Sequence, residues 1–423
     1  MRKHTKKVIE NQLKTGNTKK CRACGNDNFD DVLNMGMNPL VNSLLDTQEI
    51  KEVEPLYPLK VVRCASCSLV QIEKPIDANK IYKDVDYLYF SSDMPGLADY
   101  FREYCEDVQN RFLQMRDNSF IVEIGSNDGI MLRFFADIGY RVLGIDPATN
   151  VAIRALANGI PTIPLFFEER LAKLIRSEMG VADVIYGNNC IAHIDDLDSV
   201  LKGVNALLAY DGVFIVECNY WGGMVKNVNY ALVYHDHFSY FSLKNWEDLA
   251  KKYGMKVFDA IVTPAQGGSL RVFMSKDFGI EATERYVDLK NEEMREGYNT
   301  LKVAQQYGKN CLSEALKLAN VVKTLYAQKK RIAGYGAAAK GFSVLKLAHI
   351  GKELKYFVDD SPAKQGKFTP EHRIPIISRE VANAKLPDYF FITAPNYADI
   401  IIEKEKERGY TGKFILCDST IVQ

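Results

Sequence analysis

From Phe120 to Lys276 the chain alternates short runs of β-branched and aromatic residues with helix-like segments. FIVEIG, VLGIDP, DVIYGN, GVFIVECN, VFDAIVTP and SLRVFMSK read as strands. One helical stretch spans Asp196 to Ala209. Another spans Leu243 to Tyr253, with Ser242 as its N-cap and Gly254 as its stop. Such alternation predicts a doubly wound α/β sheet, because parallel neighbours need a crossover between them. A second alternation follows: RIAGYGAA, KYFVDD, PDYFFITA and KFILCD read as four more buried strands of a second α/β unit. Between the units, residues 281–328 are amphipathic and free of proline, which predicts a pair of helices broken near Gly308. No repeat with a period of about 20–50 residues is visible.

EIGSNDG, Glu123 to Gly129, stands directly between the first strand and the helix after it. Glycines at 125 and 129 allow close backbone approach to a ligand, and the helix start offers free N–H groups. About 20 residues on, at the end of the next strand, Asp146 in GIDPATN suits a bidentate hydrogen bond to ribose hydroxyls. The spacing E-x-G-x-x-x-G is not G-x-G-x-x-G, so a dinucleotide pyrophosphate is poorly served. It resembles instead the first motif of class I S-adenosylmethionine (SAM) methyltransferases. A tight turn without a ligand is the bland alternative.

A length of 423 residues is about three domains' worth. Lys+Arg and Asp+Glu both number 54, so the chain is no polycation, and non-specific nucleic-acid binding is disfavoured. No apolar run approaches the ~20 residues that span a bilayer. The N-terminal segment is basic without the apolar core of a signal peptide, which suggests a cytoplasmic protein. Nine cysteines are too sparse for a disulfide scaffold, yet Cys21/Cys24 and Cys64/Cys67 form two CxxC knuckles. Four thiolates close a tetrahedral zinc site and leave no position for a catalytic water. The 39 residues between the knuckles predict something folded inside the spacer. The expected organisation is a basic tail (1–20), a zinc lobe (21–80) with its exit at Pro75, a first α/β domain (81–280) with helical periodicity starting near Met94, and a helical linker with the second α/β domain (281–423).

Three of the six histidines cluster near strand ends of the first α/β domain: His193 in NNCIAHI, and His235 and His237 in YHDHFSYF. A neutral imidazole beside a carboxylate such as Asp236 is a ready general base. In an ideal strand Tyr234 and Asp236 share one face and the histidines the other, so the segment must turn if all four serve one site.

With these motifs in this order, the chain resembles the SAM-dependent sugar-nucleotide C-methyltransferases, which install the branching methyl of 4-keto deoxyhexoses. The resemblance rests on the two knuckles, YFSS at 89–92, EIGSNDG, NNCIAHI, YHDHFSYF, GGSLRVF at 267–273 and GYGAAAKG at 334–341. Only the first 20 residues fall outside it. It implies a zinc-binding N-terminal domain, a class I (Rossmann-like) methyltransferase domain and a Rossmann-like C-terminal domain. It also implies SAM and a structural Zn²⁺ as cofactors, a nucleotide-sugar substrate, no nucleic-acid or membrane partner, and a monomer or homodimer. By this resemblance Glu123, Gly125, Asn127, Gly129, Asp146, Pro147 and Asn188 bind the donor, and Tyr89 stands near its methyl. His237 is the base, Tyr234 and His193 contact the keto or enolate oxygen, and Asp236 orients the set. Arg271, Tyr335 and Lys340 are candidate substrate contacts; GYGAAAKG reads as a loop for the nucleotide sugar's phosphates, with Lys340 as the phosphate ligand, or as a domain contact.

Three positions depart from the family. Asp236 stands where glutamate is usual, Gln266 where histidine is common, and Pro395 where an aromatic is usual. Two other readings compete. GYGAAAKG alone would fit an NAD(P)-dependent sugar-nucleotide oxidoreductase, but its third glycine comes late and no acid clearly follows at the ribose distance. A zinc-knuckle nucleic-acid binder would leave EIGSNDG and the histidines unexplained. A methyltransferase acting on a different small molecule is the nearer alternative.

Overall fold

A computed structural model describes residues 20–83, 87, 89–94, 96–113 and 118–423. The basic tail, 1–19, lies outside the described residues. The spacer between the knuckles holds β1 (Phe29–Asn38) and β2 (Tyr57–Cys64), paired antiparallel, with β3 (Val70–Ile72) beside β2 just past the second knuckle.

The central domain follows. β4 (Phe120–Ile124), β5 (Arg141–Ile145), β6 (Thr162–Ile163), β7 (Ala182–Asn188) and β8 (Leu208–Asn219) are parallel, with helices between them. Every residue of β4 is buried, as expected for a parallel strand covered on both faces. Ser239–Tyr240 (β9) leaves this sheet and pairs with β3 through Val70↔Tyr240 and Gln71↔Ser239. β10 (Lys256–Thr263) and β11 (Ser269–Ser275) close the central sheet antiparallel, in the order β10-β11-β8-β7-β4-β5-β6. The zinc lobe's sheet is therefore β1-β2-β3-β9, completed by a strand that starts two residues after His237.

The linker departs from expectation. Helix Glu284–Glu296 ends on Gly297, whose φ of +68° is the left-handed conformation a helix stop uses. Helix Leu301–Ala327 then starts from a Thr300 cap and runs unbroken through Gly308. Gly308 is not a break but a contact: a Cβ there would stand 1.8 Å from the Val32 carbonyl oxygen of β1. The C-terminal sheet is built from β12 (Ile332–Tyr335), β13 (Leu354–Val358), β14 (Ile376–Ile377), β15 (Tyr389–Ile392), β16 (Lys413–Ile415) and β17 (Ile421–Val422), in the order β14-β13-β12-β15-β16-β17. Among the described residues no helix is long and apolar enough to cross a membrane.

Candidate active site

The EIGSNDG loop joins β4 to helix Ile130–Asp137. Gly125 and Gly129 are needed for a reason other than ligand approach. Both have positive φ, +68° and +79°, and a Cβ would meet the Cys190 side chain at 2.5 Å and the Ile160 side chain at 3.0 Å. Their missing side chains face protein. Asn127 holds the neighbouring YFSS segment: its Oδ1 accepts from Ser91 N at 2.8 Å and its Nδ2 donates to Tyr89 O at 3.1 Å. Its own backbone N–H donates to Asp146 Oδ2 at 2.9 Å, and Ala148 N donates to Asp146 Oδ1 at 2.9 Å. Burial pushes the Asp146 carboxyl up to about 6 in spite of these two amides.

A cavity of about 390 Å³ opens here, lined by Glu123, Gly125–Asn127, Asp146, Pro147 and Asn188, by Phe166–Glu168, Asp196 and Ser199, and by Tyr82, Tyr87, Tyr89, His193 and Gln266. Such a volume suits a small cofactor. The residues also fit the chemistry of SAM, which carries an ammonium group and a sulfonium that carboxyl groups can face. Glu123 is buried, its carboxyl is raised by burial and by nearby Asp146, and its Oε2 has no hydrogen-bond partner among the described residues. Asn188 is held by Tyr104, whose hydroxyl lies 3.3 Å from Asn188 Oδ1.

Next to His193 the chain turns, with His237 N donating to Tyr234 O at 3.1 Å, and neither Tyr234, Asp236 nor His237 itself lines the cavity. The turn brings Tyr234 against His237 (ring centroids 4.1 Å) and His237 against His193 (5.0 Å). His235 points the other way, edge-on to Tyr57 of β2 at 6.0 Å. Burial holds His237 well below the usual imidazole range and His193 down to about 4, so both rings are neutral. The Leu232 carbonyl lies 2.6 Å from His237 Nδ1, and since a carbonyl only accepts, the proton sits on Nδ1 and the lone pair on Nε2. Asn219 Nδ2 lies 3.1 Å from Nδ1 and 3.2 Å from Nε2 of the same ring. Tyr82 Oη lies 2.9 Å from His193 Nδ1.

Four expectations are corrected. Asp236 does not orient His237; the Leu232 carbonyl does, and Asp236 Oδ2 accepts from Asn42 Nδ2 at 2.8 Å because side chains diverge around the turn. Arg271 sits inside the central sheet, donating to Glu217 Oε2 at 2.9 Å and to Tyr100 Oη at 2.8 Å, with its guanidinium over the Tyr104 ring. Tyr335 is 1% exposed, in the core of the C-terminal sheet, and its hydroxyl donates to Glu405. Neither residue lines the cavity. The missing acid of the GYGAAAKG unit is Asp359, directly after β13, and it accepts from Ala337 N at 2.7 Å. Lys340, by contrast, reaches the central domain: its Nζ donates to Gln266 O at 2.9 Å and to Gln266 Oε1 at 3.2 Å, and burial pushes its ammonium down to about 7. Gln266 Nε2 in turn donates to Tyr89 Oη at 3.3 Å.

The four knuckle sulfurs all lie within 4.8 Å of one another, with Cys21–Cys67 at 3.5 Å and Cys24–Cys64 at 3.6 Å. A tetrahedral zinc with Zn–S bonds of about 2.3 Å spaces its sulfurs by about 3.8 Å, so these residues fit a closed structural zinc site.

Family models match in sequence order: a zinc binding domain over 21–82, a methyltransferase domain over 97–260 and a C-methyltransferase C-terminal domain over 264–417. The C-methyltransferase NovU of Streptomyces niveus is 35% identical over 389 residues, covering 92% of each chain. The chain belongs to the C-methyltransferase family. The ubiquinone biosynthesis O-methyltransferase of Bartonella quintana is 22% identical over 156 residues, 34% of this chain and 63% of that protein. The SAM-bound magnesium protoporphyrin IX methyltransferase of Synechocystis PCC 6803 matches 47% of this chain and 88% of its own, with 11% identity and a TM-score of 0.32. The protein is thus a SAM-dependent C-methyltransferase with a four-cysteine zinc-binding domain.

Several residues of this C-methyltransferase's site escaped the sequence reading. Tyr82 and Tyr87 belong to a tyrosine-rich run that ends in YFSS, a signal that was available. Asn219 is the polar residue that ends the apolar strand GVFIVECN, another usable signal. The Leu232 carbonyl has no signal at all, since every residue carries one.

Proposed function

We propose that this C-methyltransferase adds a methyl to C3, the carbon next to the ketone, of a nucleotide-linked 4-keto deoxysugar by way of an enolate. The observation that carries this reading is the pair of buried histidines, His237 with Leu232 O on its Nδ1 and His193 with Tyr82 Oη on its Nδ1. His237 has its Nδ1 proton on Leu232 O and a free electron pair at Nε2, which fits a base for a carbon acid. With Tyr82 donating to His193 Nδ1, His193 offers an Nε2–H donor 5.0 Å away, centroid to centroid. Such a donor, with the Tyr234 hydroxyl, suits the oxygen on which enolate charge develops. Burial raises Tyr234 well above the usual phenol range, so it stays a donor at neutral pH.

In this mechanism Nε2 of His237 takes the proton alpha to the ketone, and the electron pair of the broken C–H bond becomes the enolate. SAM supplies the electrophilic methyl when bound. The residues around the cavity would align the enolate carbon with that methyl, and alignment would supply much of the acceleration. Lys340 is proposed to face the phosphates of the nucleotide sugar, because a buried ammonium with only a carbonyl and an amide as neighbours favours an incoming anion.

The experiment is proton exchange without methyl transfer. Enzyme, a 4-keto sugar nucleotide and S-adenosylhomocysteine in heavy water are expected to replace the C3 hydrogen with deuterium, read by mass spectrometry. His237→Ala is expected to abolish exchange and to leave S-adenosylhomocysteine affinity intact. Full exchange in that variant would remove His237 from the role of base.

A further inference from the structure

Between the two sulfurs of the first knuckle stands an arginine that faces inward. The Arg22 side chain is 1% exposed. Its Nε donates to Asp195 Oδ1 at 2.8 Å, and its Nη1 donates to Gln71 Oε1 at 2.9 Å, to Ile72 O at 2.9 Å and to Phe238 O at 3.1 Å. Gln71 closes the circuit to the metal site, donating from Nε2 to Cys21 Sγ at 3.2 Å. One planar cation therefore ties the zinc knuckle to β3, to the loop of Asp195 and to the segment of Phe238.

Those last two partners are next to the site. His193 lies two residues before Asp195, and His237 immediately precedes Phe238. Phe238 N also donates to Ala192 O at 2.8 Å, so the two loops are stitched together beside the arginine. Neither loop has a long element of its own to hold it: His193 ends a single turn, Ile191–His193, and His237 ends the turn from Tyr234. Reactive groups need placement to within about half an ångström, and short turns secure that only through what they are anchored to. The anchor suits the task. A guanidinium is a rigid fork that holds several acceptors in fixed directions, whereas a lysine presents one rotating point charge.

We propose that Arg22 is a positioning residue: it carries the frame of the zinc knuckle into the two loops that bear His193 and His237. The zinc site then serves ring placement as well as stability. This placement stands whatever the acceptor is; only its kinetic consequence rests on the base role given to His237.

The test uses full-length, zinc-loaded protein labelled with ¹⁵N-histidine and saturated with S-adenosylhomocysteine, with zinc content checked by elemental analysis. Six histidines keep the spectrum tractable, and His193→Gln and His237→Gln assign the two that matter. In Arg22→Lys and Arg22→Gln the ring nitrogen shifts of His193 and His237 are expected to move, while those of His349 and His372 in the C-terminal domain stay put. With an acceptor in hand, kcat falls about 10-fold or more and the KM for SAM holds, the usual loss when a supporting shell is cut. Unmoved His193 and His237 signals in a zinc-loaded Arg22→Gln protein overturn the proposal. If the arginine variants shed zinc or fail to fold, Asp195→Ala decides, because it removes the acceptor of the Nε arm away from the cysteines. Displaced His193 signals there support the proposal, and unchanged ones overturn it. Deuterium exchange in the His237→Ala variant is a separate result, so either idea can fail alone.

Discussion

Asp236 lets a pH experiment test how the histidine turn is buried. The residue is buried, Asn42 donates to it, and desolvation pushes its carboxyl up to about 7. Unfolded aspartate ionises near 3.9, so the shift is roughly 3 pKa units, or about 4 kcal/mol. The folded pKa is the higher one. Between about pH 4 and pH 7 the folded chain therefore keeps a proton that the unfolded chain has released, and stability falls as pH rises through that window. Asp236→Asn carries no charge at any pH and can still accept from Asn42 through its amide oxygen. At pH 8 it escapes the full penalty, about 4 kcal/mol at most, less roughly 1–3 kcal/mol for an amide N–H₂ placed where a protonated carboxyl stood. At about pH 4 the first contribution vanishes and only the second remains. The expected result is a stability difference, variant minus wild type, that climbs by several kcal/mol from acid to alkaline pH and changes sign on the way. Urea unfolding across that range, followed by fluorescence of Trp221 and Trp246, measures it, because both tryptophans are buried in the central domain. Parallel curves for the two proteins would show that the Asp236 carboxyl is solvated and that the turn is not buried as described.

Other perturbations reach separate parts of the molecule. Gly308→Ala gains about 1 kcal/mol of helix propensity but drives a methyl into the Val32 carbonyl, so thermal melting should show a net loss of roughly 1–3 kcal/mol; a raised Tm would refute that contact. Asp146→Ala removes the acceptor of two loop amides and should weaken S-adenosylhomocysteine binding by ~1–3 kcal/mol in calorimetry, while an unchanged Kd would put the donor elsewhere. Elemental analysis of protein purified without chelator should find one zinc per chain, and Cys64→Ser should lower stability; protein free of zinc would contradict the four-sulfur site.

What could be read in advance followed from locality. Strands such as β4 and β12 announce themselves because a parallel strand buried on both faces is a run of apolar residues. β14 and β17, two residues each, are too short for any pattern to emerge. The EIGSNDG loop was visible because a strand, a glycine turn and a helix start are contiguous. Gly308 misled because a glycine inside a helical pattern reads as a stop, whereas its lack of a side chain answers to β1, far away in the sequence. The true break was local and legible: Gly297 with positive φ, then Thr300 as a cap. Arg271 shows the opposite failure. A motif places it beside functional residues in sequence, yet alternation along β11 turns it onto Glu217 inside the protein.

The same distinction explains why the histidine turn resisted reading more than the EIGSNDG loop. The loop follows one strand of one sheet, so neighbouring residues in sequence are neighbours in space. The surroundings of the histidine turn and of Gln266 are a junction. The zinc lobe sends Arg22 to Phe238 and Asn42 to Asp236. The C-terminal domain sends Lys340 to Gln266, and Gln266 reaches Tyr89 on the cavity wall. Gln266 itself sits at φ +53°, a left-handed conformation unusual for a residue with a side chain, and a Cβ on the next residue, Gly267, would stand 2.5 Å from Asn396 Oδ1 of the C-terminal domain. Backbone held in that region persists only when its surroundings over-determine it. Here the surroundings come from another domain: Lys340 and Asn396 of the C-terminal unit meet Gln266 and Gly267, so the cavity lining at Gln266 takes its shape from its neighbour.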